Sequence, residues 1–305
     1  MLFRGVMRML SHKHLLVCDL DNTLYDWVAY FVPSFYAMID AAADIMSCDR
    51  ERLLDDMRAV HQYHHDSEQP YALLETKTVR EHYRGYPLQW VADSLDPAFH
   101  AFNSSRNRNL KLYEGVSETL GMLVDCDATL VAHTESKLHG ALDRLQRLNL
   151  LKYFKRIYCR ERSKTSHPDR VRAAEWLANL PLNIVHELSH HQSKPSADVL
   201  LEICAAEQAS TANTAYVGDS IAKDMLMAKR AGVFSIWAAY GAVHDRTLYD
   251  GLVRVSHWTP DEVETEARLR AEAASVQPDY IARRSFSEVL TALEISVAAA
   301  KFHSG

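Results

Sequence analysis

At 305 residues, with 48% apolar residues and a formal net charge of −6, the chain can bury an ordinary globular core, which excludes intrinsic disorder as its default state. Acidic and basic residues are interspersed rather than gathered in blocks, so neither a nucleic-acid footprint nor an anionic-membrane footprint is expected. The five cysteines (Cys18, Cys48, Cys126, Cys159 and Cys204) are odd in number and contain no C-x-x-C pair. That usage fits free thiols in a reducing, cytoplasmic compartment.

Arg4, Arg8 and Lys13 near the start flank only short apolar stretches, so no signal-peptide pattern is read there. No uninterrupted apolar run reaches the roughly 18 residues of a membrane span. The first strand signal is Leu15-Leu16-Val17-Cys18, an apolar run suited to a strand covered on both faces, and it ends in Asp19-Leu20-Asp21-Asn22-Thr23. From 25 to 109 the apolar residues recur at helical spacing, as in Phe31, Phe35, Met38, Ile39 and Ala42, and no strand interrupts them. A separate helical unit is expected over 25–109.

A helix over Val116–Val124 then leads into a second buried strand, Ala128 to Ala132, ending at His133-Thr134, with Glu135-Ser136 opening the next helix. A short strand near Ile157 and a helix over Asp169–Leu180 follow. Thr214-Ala215-Tyr216-Val217 is a further strand, running into Gly218-Asp219-Ser220 and a helix that stops at Gly232. Phe234–Ala238 is another, and a helix from Pro260, a short strand near Tyr280-Ile281 and a helix capped by Ser285 complete the chain. Such alternation predicts a Rossmann-like, doubly wound parallel sheet in an α/β core made of 1–24 and 110–305, with the all-helical unit inserted as a cap.

Three strand ends therefore carry polar groups: Asp19 and Asp21, then Thr134, then Asp219, with Asp224 one turn into the following helix. Beyond the carboxyl ends of parallel strands lies the crevice where ligands bind in such sheets. Carboxylates crowded there repel by about 4 kcal/mol per pair at roughly 4 Å and an effective dielectric of about 20, and a divalent cation relieves the repulsion. Oxygen-only ligands favour Mg²⁺ over zinc.

These residues resemble the four short motifs of the haloacid dehalogenase superfamily: Asp19-Leu20-Asp21-Asn22-Thr23, then Thr134, then Lys194-Pro195, then Gly218-Asp219-Ser220 through Asp224. The resemblance covers 15–24 and about 110–240, and the helical stretch 25–109 falls where that family inserts a mobile cap. It implies a phosphatase that hydrolyses a small phosphomonoester through an aspartyl-phosphate, with Asp19 as nucleophile and Asp21 as acid and then base. Thr134 would bond a phosphoryl oxygen and Lys194 would offset its charge, while Asp19, the Asp21 carbonyl and Asp219 would hold Mg²⁺. Asp224 would either ligate through water or orient Lys194. An acid at Asp21 favours phosphate esters over halides, whose departure needs no proton.

The segment from Ile157 to Lys194 is roughly twenty residues longer than the resemblance implies. It contains His186-Glu187-Leu188-Ser189-His190, an H-E-x-x-H pattern that would suit zinc only on a long helix. His61, His64 and His65 share a polar helix face, and Tyr25 and Asp26 sit beside the expected hinge, where substrate contact is possible. A phosphoglycolate-phosphatase-like or nucleotidase-like hydrolase is the expectation. A phosphotransferase or mutase of the same superfamily and a catalytically silent binding protein are the alternatives, with monomer and homodimer left open.

Overall fold

The computed structural model describes residues 15–69, 71–162, 168, 171, 174–175, 178–189 and 191–294. Seven strands form one sheet in the order β4-β3-β2-β1-β5-β6-β7, and every neighbouring pair is parallel. They are β1 (Leu15–Cys18), β2 (Thr129–Lys137), β3 (Arg156–Arg160), β4 (Val185–Leu188), β5 (Thr214–Gly218), β6 (Phe234–Ala238) and β7 (Tyr280–Ala282). Side-chain alternation divides the strands between two apolar layers. Leu16, Cys18, Ala215 and Val217 face one cluster, with α7 (Val116–Asp125) and α8 (Leu138–Arg147) over it. Leu15, Val17 and Tyr216 face the other, under α9 (Ala197–Ala206) and α10 (Leu226–Ala231). With helices on both faces, strands 15–18 and 214–217 read as unbroken apolar runs.

Between β1 and α7 the described residues form six helices: α1 (Trp27–Met46), α2 (Arg50–His64), α3 (Ala72–Glu75), α4 (Lys77–His82), α5 (Leu88–Ser94) and α6 (Asp96–Asn109). They enclose a third apolar cluster around Phe31, Phe35, Ile39, Leu53, Met57 and Leu73. Helix α1 is 20 residues long and apolar enough to match the length of a membrane span, and its apolar side is buried in that cluster. The two passages between this unit and the sheet lie side by side, since the Tyr113 amide donates to the Leu24 carbonyl at 2.9 Å.

Three features depart from the sequence reading. Strand β2 runs through Glu135-Ser136 to Lys137 instead of ending at Thr134, with a register shift against β3 after His133, so the next helix starts at Leu138. Strand β4 lies on the H-E-x-x-H pattern: His186 and Glu187 are strand residues, on opposite faces of the sheet, so the helix that zinc would need is absent there; His190 lies outside the described residues. Most of the helix expected over Asp169–Leu180 also lies outside them. Finally, α11 (Arg246–Val255), read as part of the core, contributes Leu252 and Val255 to the apolar cluster of the helical unit.

Candidate active site

The strand order reverses direction at β1: successive strands β2, β3 and β4 extend to one side, and β5, β6 and β7 to the other. Two neighbouring loops then part at their carboxyl ends, opening the crevice that the sequence reading anticipates. Asp19 opens one loop, with its amide donating to the Val217 carbonyl at 2.9 Å; Asp219 opens the other, directly after β5.

The loop after β1 is tightly held. Thr23 Oγ1 donates to Asp19 Oδ2 at 3.1 Å, and Asn22 takes a left-handed backbone (φ 58°), which asparagine tolerates better than bulkier residues. After β6, Tyr240 donates its hydroxyl to the Thr23 carbonyl at 2.7 Å. Gly241 comes so close that a Cβ there would sit 1.7 Å from the Asn22 carbonyl oxygen. A bare backbone is therefore required at that point.

On the β5 side, Ser220 caps a π-helical turn, Ile221–Met225, by accepting from the Lys223 amide at 3.2 Å. The turn folds Asp224 back against the strand end, where a Cβ on Gly218 would lie 2.4 Å from the Asp224 carboxyl carbon. Both oxygens of Asp224 have partners: its Oδ2 accepts from the Ser220 amide at 3.0 Å, and its Oδ1 accepts from the Tyr216 hydroxyl at 3.2 Å and from Lys194 at 2.8 Å. Trp237 steadies the adjacent loop by donating its indole N–H to the Asp219 carbonyl at 2.8 Å.

Lys194 enters from the loop before α9 and places its ammonium 2.5 Å from Asp19 Oδ1, above the Tyr216 ring. Carboxylate oxygens of Asp19, Asp219 and Asp224 all lie within 4.8 Å of one another. When all are ionised, three carboxylates against one ammonium leave an excess of two negative charges, which adds to the effect of burial. Burial, partly offset by Lys194 and reinforced by Asp224, pushes the Asp19 carboxyl up to about 7. Burial and the neighbouring Asp19 and Asp224 raise Asp219 well above the usual carboxylate range. Burial also opposes the charge on Lys194, but Asp19 and Asp224 outweigh it and raise its pKa.

Asp21 points to the β2 side of the crevice. Its Oδ2 accepts from Ser136 Oγ at 2.6 Å and from Thr134 Oγ1 at 3.4 Å, and Arg144 lies 3.2 Å from its Oδ1. Thr134 is buried and its hydroxyl accepts from the Ser136 amide at 3.0 Å. Next to it, Glu135 accepts from Lys223 at 2.9 Å; despite burial, Lys223 and Lys194 hold its carboxyl down at about 2. The fold thus brings Asp19, Asp21, Thr134, Lys194, Asp219 and Asp224 to one rim of the sheet.

Other sequence candidates lie elsewhere or act differently. Tyr25 is wholly buried, with its hydroxyl accepting from Arg144 Nε at 2.9 Å, and Asp26 caps α1 by accepting from the Ala29 amide at 2.8 Å, so neither is a free substrate contact. His61 is not on a solvated face: it is buried, with Nδ1 2.7 Å from the Val255 carbonyl. His64 meets Glu75 at 2.8 Å and His65 lies 3.3 Å from Glu262.

Ser136 and Arg144 escaped the sequence reading. Both left a trace: Ser136 is two residues beyond Thr134 on one strand, and Arg144 falls within the apolar spacing of Leu138, Ala141, Leu142 and Leu145.

The fold has counterparts among known proteins. The sequence profile of the haloacid dehalogenase-like hydrolases matches residues 13–232, and a second profile of that group matches 191–284. Among curated proteins nothing matches. Among solved structures, the chain is similar to the 2-haloacid dehalogenase of Pseudomonas syringae pv. tomato, at 20% identity over 92% of this chain and 98% of that one, with a TM-score of 0.55. It is also similar to a predicted phosphoglycolate phosphatase of Haemophilus somnus, at 16% identity over 92% and 97% of the two chains, with a TM-score of 0.46. A hydrolase of Bacillus subtilis described bound to magnesium matches at 14% identity over 92% and 99%, with a TM-score of 0.47. At such identities the first of these speaks for the fold. The profile spans well over half of the sequence, and by it the chain belongs to the haloacid dehalogenase-like hydrolases.

Proposed function

We propose that the protein is a Mg²⁺-dependent phosphomonoester hydrolase, acting on a small phosphorylated metabolite with Asp19 as nucleophile. The observation that carries this reading is the pairing of two carboxylates on one loop in different settings. Asp19 is buried against Lys194 and faces the acidic cluster, while Asp21 is half-buried among the hydroxyls of Thr134 and Ser136. A halide leaves carbon unaided, whereas an alkoxide leaving phosphorus needs a proton, and Asp21, two residues after the nucleophile on the same loop, would supply it.

In the first step an Asp19 oxygen would attack phosphorus and the ester P–O bond would break, with the Asp21 proton passing to the departing alkoxide. The products of that step are the alcohol and an aspartyl-phosphate. In the second step Asp21 would take a proton from water and the resulting hydroxide would attack phosphorus. The Asp19–phosphoryl bond then breaks, releasing inorganic phosphate and restoring both carboxyl groups. Lys194 would offset the charge shared by nucleophile and phosphoryl group, and Thr134 would donate to a phosphoryl oxygen.

An all-oxygen donor set with two uncompensated negative charges suits a hard divalent cation. Asp19, Asp219 and the Asp21 carbonyl would hold it, and it would supply positive charge to the phosphoryl oxygens. The 2.8 Å contact between Asp224 Oδ1 and Lys194, with Asp224 held by the Tyr216 hydroxyl and the Ser220 amide, supports the role of orienting Lys194 over that of ligation through water.

The test is phosphate release from small phosphomonoesters in ¹⁸O-water with Mg²⁺ supplied, with Asp19→Asn as the blank. Hydrolysis puts a solvent oxygen into the released phosphate, and chelation of the metal stops it. A phosphorylated acceptor formed without solvent label would indicate a transferase instead. Folded protein that releases no phosphate from any ester overturns the reading.

A further inference from the structure

Arg144 is fully buried on the apolar stripe of α8, where an unpaired guanidinium would cost several kcal/mol. Its partners explain its presence. Nε donates to the Tyr25 hydroxyl at 2.9 Å, and one terminal nitrogen donates to Glu68 Oε1 at 2.5 Å. The other terminal nitrogen donates to Ser136 Oγ at 2.6 Å and lies 3.2 Å from Asp21 Oδ1. The rings of Tyr25 and Tyr30 pack on it, with centroids 5.7 and 5.8 Å away.

One planar cation therefore touches the loop after β1, the extension of β2 and the loop between α2 and α3. Ser136, which accepts from Arg144, donates in turn to Asp21, so the Asp21 carboxylate is held from two directions. A rigid fork of N–H donors fixes orientation in a way that a lysine's point charge does not. Lys194 already serves the nucleophile, and the Arg144 N–H groups are taken up by Tyr25, Glu68, Ser136 and Asp21, so its task is to hold those groups in place. Glu68 completes the set only while the segment that carries it, just after α2, is seated. A second ion pair from the same loop, Asp66 to Lys137 at 3.2 Å, reaches the end of the same strand.

We propose that Arg144 is a positioning residue: it orients Asp21 for proton transfer to the leaving group and makes that orientation depend on the seating of the helical unit through Glu68. This rests on the reading of the chain as a phosphomonoesterase. Proton donation matters for an alkoxide and hardly at all for a nitrophenolate, so the two leaving groups separate an orienting role from a merely structural one.

The experiment compares glycerol phosphate with 4-nitrophenyl phosphate as substrates for the full chain, its Arg144→Lys variant and its Glu68→Gln variant. For Arg144→Lys, kcat on the alkyl ester should fall about 10²-fold or more while kcat on the aryl ester falls less than about tenfold, with KM changing less than kcat. For Glu68→Gln the same bias should appear at roughly a tenfold level. An unchanged ratio between the two esters in an active variant overturns the proposal. If Arg144→Lys does not fold, the ratio in Glu68→Gln decides. If the full chain releases phosphate from neither ester nor from any other, the phosphomonoesterase reading fails, which is a distinct result from an unchanged ratio.

Discussion

Two buried regions of this molecule are built on opposite principles. At the rim of the sheet, Asp19, Asp219 and Asp224 share one ammonium, and burial pushes Asp19 up to about 7 and Asp219 well above its usual range. At the seam between α11 and the helical unit, Leu252 and Val255 pack among Phe31, Phe35 and Leu53. Polar groups at the seam find partners too: Tyr36 donates to the Gly251 carbonyl at 3.0 Å, His61 meets the Val255 carbonyl and Gln62 donates to the Trp258 carbonyl at 3.2 Å. The rim holds charge against its preference and is poised for chemistry. The seam satisfies what it buries, so it supplies stability. A substitution at the rim should strike rate and spare stability, and one at the seam should do the reverse.

The largest effect is expected for Asp19→Asn. Loss of the nucleophile should cut phosphate release by about 10⁴-fold or more. Removing one of three crowded carboxylates also relieves repulsion, and Lys194 keeps Asp224 as a partner at 2.8 Å. Thermal unfolding should therefore shift by no more than a few degrees. A loss of ten degrees would show that the rim carries structural weight and would break the contrast. Leu252→Ala is the counterpart. Leu252 is 6% exposed, and its truncation should cost about 2–4 kcal/mol in denaturant unfolding while turnover per folded molecule stays within about threefold. A collapse of turnover with little loss of stability would move the seam into the catalytic machinery.

The contrast also explains what the sequence discloses. Strands β1 and β5 are legible because both faces are covered, leaving unbroken apolar runs whose polar ends announce Asp19 and Asp219. Strand β4 is hidden because it is the sheet's outermost strand on that side. Val185-His186-Glu187-Leu188 mixes exposed and buried residues, and Glu187 pairs with Arg162 at 2.5 Å. His186 and Glu187 also open the H-E-x-x-H pattern, which would suit zinc only on a long helix, and the strand they form is not that helix. Arg144 and Ser136 lack a motif of their own, since their meaning depends on α8 crossing the end of β2 and on a glutamate 76 positions earlier in the chain. The seam is equally silent: α11 is amphipathic, but nothing in 246–255 says that its apolar side belongs to helices nearly two hundred residues upstream.

A smaller effect tests whether the seam is tuned as described. Burial lowers the His61 pKa from its ordinary 6.5 to about 4, although the Val255 carbonyl and Asp66 pull it up and His257 and His64 press it down. Between those two values the unfolded chain binds a proton that the folded chain refuses. The stability contributed by the neutral ring is thus present above the unfolded pKa and lost on acidification, by about 1.4 kcal/mol per pH unit. Wild-type stability minus that of His61→Gln should be constant above about pH 7 and should shrink as pH falls from 6.5 toward 4. Carboxyl groups that titrate in the same range cancel in the difference. A difference that stays flat would mean that the ring is hydrated rather than sealed in the seam.

The smallest effect lies at the seam's outer edge. Arg254 reaches Asp55 at 2.7 Å and Glu51 at 3.4 Å, but their side chains are 70% and 63% exposed. Water screens such pairs, and holding long side chains in one geometry costs entropy, so each is worth at most about 1 kcal/mol. Arg254→Gln should therefore lower unfolding stability by less than about 1 kcal/mol. Even that should vanish near 1 M salt, where the screening length falls to about 3 Å. If the cost instead exceeded about 2 kcal/mol and survived the salt, the seam would be held by charge at its edge as much as by the leucine and valine inside it. The division between a charged rim that works and an apolar seam that holds would then have to be redrawn.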